Sequence, residues 1–344
     1  MRAKALQLGK ALSAALFVLL LTVAGTKNTL AQTLVATLQH GDSISFFYGS
    51  DALVNAHEVA ENGDIITLSS GSFAAPVWGV EKAITLRGAG CVADDISEVQ
   101  PTVIAGEMRF SANDEEYYLT VEGIYFSGEA RFVNLSRPKF VKCNFNYFRT
   151  AYYEGMNNAQ FSNCKFGGFN FEGTTNTTFI NCVIWYAENM NNSDRTVTAF
   201  NSIIRLRGYA DALSAYNCVF TQYDWGRLSS YSVANNCIGI KFGGNSIFDV
   251  TTYDCVEYDN YSDVFETFEG FENDNFDFTE PFILKSDIAT SFLGNDGTEV
   301  GLYGGFMPYT ARPSYQIVKR YNVPNKSDAQ GHLNVGIELY SGDE

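Results

Sequence analysis

The sequence predicts an all-β chain coiled as a right-handed parallel β-helix, a single-stranded β-solenoid of about eleven coils. Three observations carry that prediction. A short motif centred on Asn-Cys returns about every nineteen residues. The composition is heavy in Phe (27), Tyr (20) and Gly (30) and light in Pro (7), a balance that favours strands over helices. Apolar residues keep fixed offsets from the motif, so the repeat sets a register as well as a period.

The motif reads Phe161-Ser162-Asn163-Cys164-Lys165-Phe166 and returns as Phe179-Ile180-Asn181-Cys182-Val183-Ile184. It continues through Phe200-Asn201-Ser202-Ile203-Ile204, Tyr216-Asn217-Cys218-Val219-Phe220 and Asn235-Asn236-Cys237-Ile238. Val141-Lys142-Cys143-Asn144-Phe145 opens the series and Tyr253-Asp254-Cys255-Val256 closes it. Cys143, Cys164, Cys182, Ser202, Cys218, Cys237 and Cys255 are separated by 21, 18, 20, 16, 19 and 18 residues. Run backwards without Cys, the same phase continues through Val121, Ile104, Leu86 and Leu68. A repeat this short lacks room for paired helices, and variable gaps belong to turns on the outside of a solenoid.

Two inward columns follow. The Cys-equivalent residues form a column of small side chains, and Phe145, Phe166, Ile184, Ile204 and Phe220 form an apolar one two residues on. Asn163, Asn181, Asn201, Asn217 and Asn236 are expected to stack at a bend and share amide hydrogen bonds from coil to coil. Stacked residues hold their Cβ atoms about 4.8 Å apart with parallel vectors, which suits free buried thiols better than disulfides. A linear column is also a poor tetrahedral metal site. Cys91 falls outside the column, in a turn.

Domain order is read from composition shifts. Residues 1–31 have the basic start, apolar run and small-residue end of a secretory signal peptide. Residues 32–62 supply an N-terminal strand and a capping helix, with Ser50 as N-cap and apolar residues at helical spacing from Ala52 to Ala60. The β-helix occupies 63–280, a closing segment follows over 281–312, and 313–344 alternate as a strand pair or the start of an incomplete β-module. A net charge of −16 argues against nucleic acid and anionic membrane as partners. No segment after the leader is apolar enough to embed in a membrane.

Ala60-Glu61-Asn62-Gly63-Asp64-Ile65-Ile66-Thr67-Leu68 and Lys82-Ala83-Ile84-Thr85-Leu86-Arg87-Gly88 resemble the opening coils of the pectin lyase-like right-handed β-helix superfamily. Phe292-Leu293-Gly294-Asn295-Asp296-Gly297-Thr298 through Gly305 is similar to the closing segment of exported β-helix proteins of Bacteroidetes. The resemblance spans about residues 50–310. It implies export from a Gram-negative cell to the periplasm, the surface or the medium. It implies no single activity, because the superfamily hosts lyases, hydrolases, esterases and adhesins. The polygalacturonase-like, pectin methylesterase and pectate lyase signatures are absent: His40, His57 and His332 lack the flanking glycines, and Arg137-Pro138 and Arg312-Pro313 lack the following Trp.

One face does gather chemistry. Trp185 and Arg205 share a phase three residues past the Cys column; Arg207 and Tyr223 share one five past it, with Tyr209 and Trp225 adjoining. Aromatic and guanidinium groups on neighbouring coils suit sugar rings and carboxylates. The plainer reading is a solenoid face that is aromatic throughout. No cofactor is implied. Calcium is the one cation with candidate ligands, in the acidic run Asp254–Glu280 and in Asn295–Thr298, although a solvated face and a tight turn explain both. The function expected is non-catalytic presentation of an extended surface to carbohydrate or another cell-surface partner. A lyase or glycoside hydrolase acting on an acidic polysaccharide, and a structural spacer, are the alternatives.

Overall fold

The computed structural model describes residues 34–93, 99–150, 155–190, 196–229, 231–241, 243–272, 274 and 276–314, with the backbone alone of 317–322 and 336–340. The expected signal peptide and His332 lie outside the described residues. Two sheets of twelve strands each form the walls of a parallel β-solenoid. The first wall starts with an antiparallel hairpin, Val35–His40 and Ser43–Tyr48, which joins the first coil through Ala36 opposite Leu68. Ten parallel strands then follow, and the chain makes about nine turns between the first and the last of them. A third, short ladder pairs Leu135–Ser136, Met156–Asn157 and Thr174–Thr175.

The register places Ile66, Leu86, Val121, Phe140, Phe161, Phe179, Ala199, Ala215, Ala234 and Thr252 in one line. This corrects the backward extension of the repeat. Leu86 and Val121 align three residues before the Cys column, and Ile104 sits in the second sheet opposite Phe126. One long coil between Leu86 and Val121 holds both Thr102–Ala105 and Met108–Phe110. Inward apolar residues of the two walls look alike in sequence, so without Asn or Cys to mark the bend one long coil was counted as two.

The marker has a backbone cause. Gly123, Lys142, Asn163, Asn181, Asn201, Asn217, Asn236 and Asp254 all hold positive φ, from 46° to 68°. Each coil from Gly123 onward therefore turns the corner through one left-handed residue, a conformation that Asn and Asp tolerate best among residues with a Cβ. The next residue closes the bend: the Cys164 thiol donates to Ser162 O, Cys182 to Ile180 O, and Cys218 to Tyr216 O, at 3.2–3.4 Å. Ser202 makes the same bond to Phe200 O at 2.8 Å. The column thus selects a small side chain with a donor, and sulfur is incidental. All seven Cys are free and only Cys255 is more than marginally exposed. Burial pushes the Cys91, Cys164 and Cys237 thiols above their usual range. In the native protein a thiol reagent is expected to modify Cys255 before the six buried thiols, and all seven rapidly after guanidinium denaturation. Native modification of several thiols at unfolded rates would contradict the column.

The interior is a phenylalanine lattice. Phe126, Phe145 and Phe166 stack at 4.9 and 5.0 Å. Phe140, Phe161 and Phe179 stack at 5.1 Å, and Phe132, Phe148 and Phe169 at 4.0 and 4.1 Å. The stacks meet one another edge to face, the arrangement ring quadrupoles favour. At the N-terminal end, helix Ala52–Val59 buries Ala52, Leu53, Ala56 and His57. Its N-cap is Asp51 without a side-chain capping bond, a correction to the expected Ser50. His40 Nδ1 lies 2.8 Å from Asp64 Oδ1, tying the hairpin to the first coil.

After the last coil the chain folds back as a strap along the flank. Val264, Phe265, Phe271, Phe282, Leu284, Val300 and Leu302 pack onto the outward-facing Val183, Trp185, Ile203, Val219, Ile238 and Ile240 of the second wall. The strap is fastened by the Asn ladder. Asn236 Nδ2 donates to Leu293 O (3.2 Å), and Asn181 Nδ2 to both Leu302 O and Gly304 O (2.8 Å each). Asn217 Oδ1 accepts from Asn295 N (3.1 Å) and Asn163 Oδ1 from Thr310 N (2.7 Å). These amides therefore bond strap backbone, not one another, and the coil-to-coil bonds at the bend are made by backbone, as from Asn163 N to Ile180 O. Phe282 lies over Lys165, and residues 293–314 then run from the coil of Asn236 back towards that of Glu122, which accepts from Ser314 N. Ile317–Asn322 pairs antiparallel with Gly336–Tyr340. Among the described residues no helix is long and apolar enough to cross a membrane.

Candidate functional site

The strands Ile203–Ala210 and Val219–Leu228 are the longest adjacent pair in the second wall, and they extend past the edge of the strap. They pair in register from Ile203 opposite Val219 to Arg207 opposite Tyr223, then resume at Tyr209 opposite Arg227. Three residues, Asp224, Trp225 and Gly226, therefore stand opposite the single Gly208. A bulge of this kind re-aims side chains. Asp224 takes φ 56° and Gly208 φ 90°, and the result is an outward pair of aromatics, Tyr209 and Trp225, with ring centroids 5.1 Å apart. Trp225 is 57% exposed and Tyr209 42%. A Cβ at Gly208 would make ordinary contact with the indole at 3.7 Å, so it is the backbone at φ 90°, which side chains rarely adopt, that calls for glycine there.

This pair borders a groove of about 380 Å³ lined by Asn189, Arg207, Gly208, Tyr209, Tyr223, Asp224 and Trp225. A second groove of about 440 Å³ shares Tyr223 and Asp224 and continues past Arg205, Gln222, Lys241, Asp259, Tyr261 and Asp274. Both fall in the size range of small-molecule sites. Of the six residues proposed from sequence, Arg205, Arg207, Tyr209, Tyr223 and Trp225 line these two grooves. Trp185 does not. It is 2% exposed, sandwiched by Phe271 at 4.8 Å and Phe276 at 5.3 Å under the strap. Its cover comes from residues more than eighty positions later, which no local pattern announces.

The cations of the site are already engaged. Arg205 is 5% exposed; its Nη1 pairs with Asp274 at 2.6 Å and its guanidinium lies 4.5 Å from the Trp185 ring. Arg207 pairs with Glu188 at 2.6 Å and Lys241 with Asp259 at 2.8 Å. Arg227 donates to the Tyr209 hydroxyl at 2.9 Å, with Asp249 at 3.8 Å. Tyr186 donates to Asp274, and burial with that carboxylate pushes its pKa up to about 12. The bond to Glu188 raises Arg207, the bond to the Tyr209 hydroxyl raises Arg227, and the bond to Asp259 raises Lys241. Every one of these shifts is upward, so at neutral pH Tyr186 keeps its proton and Arg207, Arg227 and Lys241 keep their charge. Asp259 and Asp274, from the acidic run considered for calcium, act as partners to these cations. Among the described residues no group of three or more His, Cys, Asp or Glu could hold a metal ion. Asp296 accepts from Thr298 N and Oγ1, which makes Asn295–Thr298 a tight turn of the strap.

A separate groove of about 520 Å³ flanks the short third ladder, lined by Asn113, Asn134, Ser136, Gly155, Met156, Asn157, Gly173 and Thr175. Among the described residues its lining is neither aromatic nor charged. Sequence reading missed it because its strands are two residues long and carry no motif. The solenoid surface thus offers grooves suited to a ligand or partner. No family model, no curated protein and no solved structure matches this chain.

Proposed function

We propose that this protein is an exported, right-handed β-helix protein that binds carbohydrate displayed on or near a cell surface, without chemistry on its ligand. The observation that carries this reading is the bulge-presented pair Tyr209–Trp225 at the rim of two contiguous grooves. Exposed indole and phenol rings offer sugar C–H faces a rigid apolar platform, and their neighbours supply donors and acceptors for hydroxyls. Among the described groove residues the cations are held in ion pairs, an arrangement suited to holding a ligand in place. The Gram-negative, exported setting rests on the N-terminal basic-apolar run and on the resemblance of Phe292–Gly305 to the closing segment of exported β-helix proteins of Bacteroidetes.

A glycan array followed by calorimetry tests the reading. Trp225→Ala is expected to weaken binding about tenfold or more, since anchoring aromatics in partly desolvated sites dominate affinity. Tyr209→Ala should do so less. Unchanged affinity in both variants would move the site elsewhere. Release of new oligosaccharide ends or of ultraviolet-absorbing unsaturated products would overturn the non-catalytic assignment.

A further inference from the structure

Resting on that carbohydrate reading, we infer that the groove accepts an uncharged glycan chain and rejects uronate-rich or sulfated ones. The argument is one of charge balance and hydrogen-bond chemistry. Among the described residues three cations line the two grooves, Arg205, Arg207 and Lys241, and a fourth, Arg227, bonds the Tyr209 hydroxyl beside them. Each has a carboxylate within ion-pair distance: Asp274, Glu188, Asp259 and Asp249 respectively. Asp224 adds a fifth carboxylate, placed in the lining of both grooves by its left-handed backbone. Among the described residues these groups therefore sum to one more negative than positive charge, within a chain of net charge −16.

A site for anionic sugar needs the reverse. Carboxylate and sulfate are recognised by cations with donors to spare, usually a guanidinium in bidentate contact. Here an incoming anion would meet Arg205 buried against Trp185 and already bonded to Asp274, and Arg207 already bonded to Glu188. An anion bound beside either pair also faces that pair's carboxylate and Asp224, and this like-charge repulsion offsets the gain from the guanidinium donors that remain. Sugar hydroxyls invert the sign of the same features. They donate to carboxylates such as Asp224 and stack their apolar faces on Trp225 and Tyr209. The acidic lining is thus an acceptor array for neutral sugars and a barrier to acidic ones. Because the grooves share Tyr223 and Asp224, the bound unit is several residues long.

The test compares neutral hexasaccharides of glucose, mannose and xylose with oligogalacturonate and a sulfated oligosaccharide, using the full chain. Binding is expected for at least one neutral series, with affinity constant between 50 and 500 mM NaCl, as uncharged ligands require. Asp224→Asn keeps the left-handed backbone and should weaken that binding about three- to tenfold. Oligogalacturonate binding that fades with salt and strengthens in Asp224→Asn would overturn the neutral assignment while carbohydrate binding stood. Failure of every neutral and anionic glycan to bind would overturn the underlying reading, and this inference with it.

Discussion

Replacing Trp185 by alanine is expected to lower the unfolding free energy by about 3–5 kcal/mol, the cost of emptying a large, fully packed aromatic site. The indole is flanked by Phe271 and Phe276 from the strap and by the Arg205 guanidinium from the next coil. Its loss removes a large aromatic contact between strap and wall and leaves Arg205 over a void. The damage should therefore be local first. Limited proteolysis would cut within residues 260–284 before the coils open, and denaturant unfolding would show a shifted midpoint. Trp185→Phe should recover part of the loss, because it retains a ring in the stack. A variant with unchanged midpoint and an uncut strap would mean that Trp185 is not the anchor described here.

The second large effect concerns pH. Lys165 is 2% exposed; its ammonium donates to Phe278 O at 2.8 Å and Glu280 O at 2.6 Å, beneath the Phe282 and Tyr309 rings. Burial pulls its pKa from the usual 10.5 to about 8. Between pH 8 and 10.5 the unfolded chain holds a proton at this lysine that the folded chain has released. The contribution of Lys165 to stability therefore rises with pH across that window, by roughly 3 kcal/mol. Buried thiols act the other way above about pH 9, since Cys91, Cys164, Cys237 and Cys255 ionise more easily once unfolded. Comparing the protein with Lys165→Met at pH 7, 8.5 and 10 cancels the thiols. The stability difference should move in favour of the natural lysine as pH rises. A difference that stays flat would place the lysine in water, not under the strap.

The second half of the solenoid is legible because the left-handed bend admits few side chains, so Asn and Asp record it in the sequence. The first three coils turn through Gly123 or through corners without Asn, and there the phase of the repeat is lost. The candidate site divides in the same way. Arg205, Arg207 and Tyr223 fall on one face by periodicity alone, whereas Trp185 shares their phase and is nonetheless covered. Periodicity reports which way a residue points from its own coil. It is silent about a segment that returns from eighty residues away. The bulge at Asp224-Trp225-Gly226 was equally hidden, since a strand with two extra residues reads as a strand.

The fastening of the strap by the Asn ladder also orders the folding reaction. Coils contact their immediate neighbours and can form one after another as the chain is made. The bonds from Asn181 to Leu302, Asn163 to Thr310 and Glu122 to Ser314 close loops of 121, 147 and 192 residues, so they come last. They also demand that the ladder be complete. A coil slipped by one residue turns its Asn out of the left-handed bend and presents the wrong group to the strap. Gly304 leaves little play, because any Cβ there would lie 1.7 Å from Glu299 O. Docking of the strap thus works as a checkpoint on coil register, locking the stack once the bends from Lys142 to Asn236 are aligned.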